Sequence, residues 1–171
     1  PGRTESILDS GNFWEINSFN SYQFISDGSK IIVGTNSEKI FRRSSRADFY
    51  VYDRLTKRLS RIAAYKIQEP LFSPDGLKVA YAFENNLYVK DLPSGKTTQI
   101  TSDGQVNKII NGITDWVYEE EFYFVRAFEW NAGSDKIAFI RFDESEVPEF
   151  AMDMYGNELY PGQMVFKYPK A

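Results

Sequence analysis

An all-β fold is what this sequence predicts, and three observations carry that prediction. Aromatic side chains fill 16% of its 171 positions, as 14 Phe, 11 Tyr and 3 Trp. They sit mostly in short runs with β-branched residues, which suit the pleated, half-buried surface of a sheet. Long stretches with a 3.6-residue apolar period are scarce. The third observation is a repeat. Phe24-Ile-Ser-Asp-Gly-Ser-Lys-Ile-Ile-Val33 and Phe72-Ser-Pro-Asp-Gly-Leu-Lys-Val-Ala-Tyr81 share one frame. Each reads as a strand ending in an aromatic, a tight Asp-Gly turn, a Lys and a second apolar strand. The Asp-Gly pair supplies the positive φ that closes a short hairpin. Phe128-Glu-Trp-Asn-Ala-Gly-Ser-Asp-Lys-Ile-Ala-Phe139 is a looser third copy. Gly28 and Gly76 lie 48 positions apart, and Gly76 and Gly133 lie 57 apart. Repeats of roughly 40–50 residues with several strands each are propeller blades rather than halves of a sandwich.

The elements follow in order. The first unit is expected to hold strands at Tyr22–Ile25, Ser29–Gly34, Asp48–Asp53 and Arg58–Ile62, with a long loop over Thr35–Ala47. The second is the clearest. It runs through Glu69–Phe72 and Leu77–Phe83, turns at Asn85-Asn86, continues over Leu87–Asp91, and turns at Pro93-Ser94-Gly95 into Lys96–Ile100. The third has strands near Val125–Trp130, Asp135–Phe142, Glu149–Met154 and Gln163–Tyr168. The blades therefore span 14–65, 66–101 and 125–171, with a helical insertion at 102–124. Three blades are fewer than the roughly four to eight that close a propeller, and an open arc leaves unpaired strand edges. We expect a fragment of a longer protein, able to pair with a copy of itself as a homo-oligomer. The chain begins at Pro1 without a signal-peptide pattern, so any targeting segment is expected to lie outside it.

Composition removes several functions. With 20 Lys and Arg against 24 Asp and Glu, the net charge is −4. That argues against nucleic acid as a partner, because phosphate backbones reward clustered cations. No apolar run approaches the roughly 20 residues that span a bilayer as a helix. With no Cys and no His, the chain has no disulfide or thiol nucleophile. It cannot by itself build a Ser-His-Asp triad or a histidine metal site. No cofactor and no metal are expected. Asp143, Glu144, Glu146 and Glu149 fit no EF-hand spacing and read as a solvated loop.

Two segments can carry chemistry, and both lie outside the repeat frame. In Asp115-Trp-Val-Tyr-Glu-Glu-Glu-Phe122, Asp115 suits the N-cap of a short helix. Glu119, Glu120 and Glu121 then crowd into one turn. The plain reading is a solvated acidic helix start. The functional reading is a cation site, since a primary ammonium offers three donors that neighbouring carboxylates can share. At about 4 Å and an effective dielectric near 20, each such contact is of order 4 kcal/mol before desolvation. Trp116 and Tyr118 read as packing for that helix, and Asn111-Gly112 as a turn. The second segment is Phe41-Arg-Arg-Ser44, an exposed basic loop or an arginine fork for a carbonyl. Strand alternation links the two. The strand two-to-three connection and the blade-to-blade connection emerge on the same face, so both insertions are expected on one side of the arc.

The stretch Asn111-Gly-Ile-Thr-Asp-Trp-Val-Tyr-Glu-Glu-Glu121 resembles the double-glutamate motif of the dipeptidyl peptidase IV branch of the prolyl oligopeptidase family of serine peptidases. Phe142–Pro148, Tyr168–Ala171 and Val51-Tyr-Asp53 support the resemblance, which covers most of the chain and is of the bacterial type. It implies part of an N-terminal, eight-bladed propeller that caps an α/β-hydrolase domain of the same parent chain. It also implies that Glu120 and Glu121 bind the free N-terminus of a peptide substrate and that Arg42 contacts a substrate carbonyl, with the adjacent Arg43 as the alternative. The parent would be a serine exopeptidase releasing Xaa-Pro or Xaa-Ala dipeptides in the periplasm, at the cell surface or as a secreted enzyme. The family's Gly-x-Ser-x-Gly elbow is absent from these residues, so the chain alone is expected to be inactive. The alternative reading is a non-catalytic propeller that binds other proteins.

Overall fold

The computed structural model describes residues 2, 4, 6–16 and 18–168. Pro169–Ala171, part of the Tyr168–Ala171 stretch cited above, lie outside them. A single 3-10 turn at Ser10–Asn12 precedes the first sheet, whose strands β1 (Ser21–Phe24), β2 (Lys30–Lys39), β3 (Ser45–Asp53) and β4 (Arg58–Arg61) run antiparallel in sequence order. A second sheet repeats the plan with β5 (Gln68–Phe72), β6 (Lys78–Phe83), β7 (Asn86–Asp91) and β8 (Thr97–Gln99). Both are blades of the expected kind.

Alternation along the inner strands fills the space between blades. Ile31 and Val33 of β2 face a cluster with Ile16, Tyr50 and Tyr52. Ile32 faces the other way, into a core with Ile25, Ile62, Ile67, Phe72, Val79 and Tyr81. From the opposite face of β6, Ala80 and Ala82 enter a third cluster with Leu71, Leu87, Ile110, Ile113 and Phe128. Successive side chains of a strand point to opposite faces, so one apolar strand serves two interfaces. These continuous apolar runs belong to strands covered on both sides.

The turns repeat as the sequence does, with one shift of register. Gly28 and Gly76 take φ +69 and +67 and donate their N–H to Ile25 and Ser73. In the third copy the equivalent residue is Ser134, at φ 59, which donates to Asn131. Gly133, matched to them by sequence, lies one place earlier.

Two segments differ from expectation. The span 35–47 is largely strand rather than loop. Asn36 takes φ 52 in a bulge between the Thr35↔Asp48 and Glu38↔Arg46 pairs, and the ladder resumes to Lys39↔Ser45. Polar residues there read as loop because a two-stranded arm beyond the sheet has no buried face to enforce apolar alternation. The third unit is built of two-stranded ladders rather than one four-stranded sheet. β10 (Phe128–Trp130) pairs with β11 (Ile137–Phe139), and β13 (Glu149–Met154) pairs with β14 (Gly162–Lys167). β12 (Arg141–Asp143) pairs with β9 (Ile109–Asn111), a strand inside the stretch read as an insertion. Burial of Ile110 and Ile113 against Leu87 pulls β9 into place. Gly112, at φ +74, is required there, because a Cβ would stand 2.5 Å from Leu87. Asn111-Gly112 thus ends a buried strand, with the Asn111 amide donating to Asn85 and Asp103. It is not a free turn.

Candidate functional site

The tip of the β2–β3 arm and the helix α1 (Trp116–Phe122) carry the candidate residues. The helix starts where expected. The Asp115 side chain accepts the Tyr118 N–H at 2.8 Å, an N-cap that satisfies one of the orphan donors of the first turn. Trp116 packs on Phe166 and Tyr168, and Tyr118 packs on Phe122 and Phe142, so both serve packing. The helix ends at Tyr123, whose φ of 63 turns the chain out of the helix immediately after the glutamates.

The three glutamates go to different places, because consecutive helical residues project about 100° apart. Glu119 is 1% exposed and its Oε1 accepts the backbone N–H groups of Arg43 at 2.5 Å and Ser44 at 2.8 Å. Glu120 is half-buried, and its Oε1 lies 3.3 Å from Nε of Arg42. Glu121 is exposed. No ion pair or hydrogen bond of its carboxylate is seen among the described residues. Both segments therefore emerge on one face, as strand alternation requires, and the structure brings Arg42 to the helix.

It also separates the two arginines. The Arg43 guanidinium lies over the Tyr123 ring, 4.3 Å from its centroid, while Arg42 faces Glu120. Magnitudes rank the contacts. The Arg42 side chain is 74% exposed, and an exposed ion pair contributes about 0–1 kcal/mol. Each hydrogen bond to a buried charged group contributes roughly 1.5–3 kcal/mol. The two hydrogen bonds to Glu119 therefore outweigh the Arg42–Glu120 pair in holding the tip of the arm to the helix.

Other charges crowd nearby. Glu69 sits at a left-handed φ of 51 in the bulge of β5. Burial pushes its carboxyl above the ordinary range, the Arg126 guanidinium opposes that, and Glu119 adds to it. Burial likewise raises the Asp115 carboxyl, against the hydrogen bonds it accepts. Glu144, expected in a solvated loop, is only 7% exposed. Burial raises its carboxyl, Asp115 reinforces the shift and Lys167 opposes it. A cavity of about 490 Å³ lies behind the arm, lined by Phe41, Asn85, Trp116 and Glu144 among others. Arg42, Glu120 and Glu121 do not line it; Arg42 and Glu121 are exposed, while the Glu120 side chain is largely covered.

Comparison with known proteins gives this geometry its family. The model of the dipeptidyl peptidase IV N-terminal region matches residues 25–171. The chain belongs to that family. Human prolyl endopeptidase FAP is 35% identical over 99% of the chain, and cat dipeptidyl peptidase 4 is 36% identical over 99% of it. The chain spans 23% of the length of each. A crystal structure of Porphyromonas gingivalis dipeptidyl peptidase 4 superposes with a TM-score of 0.84 at 41% identity, covering 91% of this chain and 22% of that one. The fold is accordingly part of the β-propeller of a dipeptidyl peptidase IV N-terminal region, with one short α-helix among the described residues.

Within this dipeptidyl peptidase IV segment, sequence reasoning missed the task of Glu119 and that of Tyr123. The first was legible in principle: three consecutive glutamates cannot share one helix face, so one of them had to turn inward.

Proposed function

We propose that this chain is the part of a serine exopeptidase that holds the substrate's amino terminus, and that the parent releases Xaa-Pro or Xaa-Ala dipeptides. Glu120 and Glu121 accept the three N–H donors of a peptide ammonium. Arg42, standing against Glu120, keeps guanidinium donors free for the carbonyl of the next residue. The α/β-hydrolase domain of the same parent supplies the nucleophile and its base. A fixed amine pocket works as a ruler, since a substrate one residue longer cannot place its ammonium and its scissile bond together.

The observation that carries this reading is the 3.3 Å approach of Arg42 to Glu120, beside a Glu121 whose carboxylate has no partner among the described residues. One cation and two anions on adjoining segments leave a net negative charge, with Arg42 and Glu121 exposed and Glu120 half-buried. That arrangement suits an ammonium better than a carboxylate or a phosphate. The names of the relatives, a dipeptidyl peptidase and a prolyl endopeptidase, agree with peptide as the substrate class. The exposure of Arg42 and Glu121 agrees with a pocket completed by the rest of the parent.

The test uses the full-length parent and a chromogenic H-Gly-Pro substrate. Glu120→Ala and Glu121→Ala are each expected to lower kcat/KM by about tenfold or more, equivalent to about 1.4 kcal/mol of lost transition-state binding. An N-acetylated substrate is expected to resist the wild-type enzyme. Wild-type turnover by both variants rejects the reading.

A further inference from the structure

We propose that Glu119 is a positioning residue: its buried carboxylate straps the tip of the β2–β3 arm to helix α1 and so sets where Arg42 stands relative to Glu120 and Glu121. This rests on the anchoring role proposed for those three side chains and adds a fourth that touches no substrate.

Three observations converge on it. First, Glu119 is 1% exposed and projects from the same helical turn as Glu120 and Glu121, so its hold fixes the rotation of all three. Second, the N–H groups it accepts belong to Arg43 and Ser44, 76 and 75 residues away in sequence and directly after Arg42. Two successive backbone N–H groups converging on one anion form a nest, a concavity suited to a carboxylate. Third, the tip is closed upon itself around that contact. The Ile40 N–H donates to the Ser44 carbonyl at 3.1 Å, the Phe41 N–H to the Ser44 hydroxyl at 3.2 Å, and Lys39 Nζ to the Arg42 carbonyl at 3.3 Å. The Arg42 guanidinium, by contrast, is mostly exposed and meets only Glu120 among the described residues. Its place comes from the backbone that carries it, and that backbone is tied down by Glu119.

The experiment is steady-state kinetics of the full-length parent on H-Gly-Pro chromogenic substrate. Glu119→Ala is expected to raise KM by about tenfold with kcat changed by less than about threefold, the pattern of lost uniform binding. Glu119→Gln, whose carbonyl oxygen can accept both N–H groups, is expected to return KM to within about threefold of wild type. Adding Arg42→Ala to Glu119→Ala is expected to cost little beyond Arg42→Ala alone, because both remove the same contact. A wild-type KM in Glu119→Ala, or full multiplication of the two effects, overturns the inference. Should Glu119→Ala not fold, hydrogen exchange on the wild-type protein decides. The Arg43 and Ser44 amides are expected to exchange at least about tenfold below free-peptide rates, and free-peptide rates overturn the strap. Wild-type kinetics in both Glu120→Ala and Glu121→Ala reject the anchoring reading. Losses in those two beside wild-type kinetics in Glu119→Ala reject only the strap.

Discussion

Tyr123 occupies the left-handed region at φ 63, a conformation that costs a residue with a Cβ about 1–2 kcal/mol relative to the right-handed helix. Asn or Gly is usual where a helix turns out this way. The tyrosine places a ring beneath Arg43, 4.3 Å from the guanidinium carbon, and so takes that arginine out of competition for the proposed amine site. A cation–π contact at an exposed position contributes roughly 0.5–1 kcal/mol. Arg43→Ala in the full-length parent is therefore expected to lower kcat/KM by no more than about threefold to fivefold, even if all of that contact bears on the site. Arg42→Ala is expected to lower it by about tenfold or more. Equal losses for the two, measured on one H-Gly-Pro substrate, go against the division of labour. Sequence could not divide them, since adjacent arginines in a polar arm carry no periodicity. The partner that tells them apart lies some 80 residues further on and is set by tertiary packing.

At the scale of the element, a helix of 7 residues is well short of the roughly 12–15 that stand alone in water. It therefore depends on its cap and on its neighbours. The Asp115 cap was legible because N-cap chemistry is local: an oxygen one residue before the first turn, then a run of helix formers. The β2 extension was not legible. Its register is kept by Asn36, whose amide donates to Asp48 at 3.1 Å, and by Glu38, which receives Arg46 at 2.9 Å and Lys66 at 2.5 Å. Those contacts come from strand pairing and from the next blade, and polar residues at 36–39 look like loop without them. Since the cap and the glutamates share two turns, Asp115→Ala is expected to cost about 1 kcal/mol of stability. It is also expected to raise KM for H-Gly-Pro substrates several-fold, as Glu119, Glu120 and Glu121 lose a common axis. Asp115→Asn, which keeps the accepting oxygen, is expected to recover both. Loss of stability at an unchanged KM separates the cap from the site and refutes the coupling.

Across the whole molecule the repeated Lys explains how blades are kept in step. Lys30 Nζ donates to the Gly76 carbonyl at 3.1 Å, and Lys78 Nζ donates to the Ser134 carbonyl at 2.9 Å. Gly76 and Ser134 hold the same place in their turns, so each blade reaches forward to one point on the next. The repeat showed the Lys but not its purpose, because the acceptor is a backbone carbonyl and leaves no trace in side-chain identity. The displaced glycine of the third copy hid the equivalence further. Lys136 holds the third position of this series and is exposed, as are Phe139 at 39% and Ile140 at 47%. Their counterparts in the second blade, Tyr81 and Ala82, are fully buried. One step along the same arrangement requires a further blade covering Phe139 and Ile140, with a turn carbonyl to receive Lys136. A structure of the full-length parent is expected to place Lys136 Nζ within about 3.2 Å of such a carbonyl. Lys136→Met is expected to destabilise the parent by about 1 kcal/mol through the unpaired carbonyl. If Lys136 stays solvated while Phe139 and Ile140 become buried, the forward-reaching lysine is a feature of two blades only, and blade order in this family must be kept by something else.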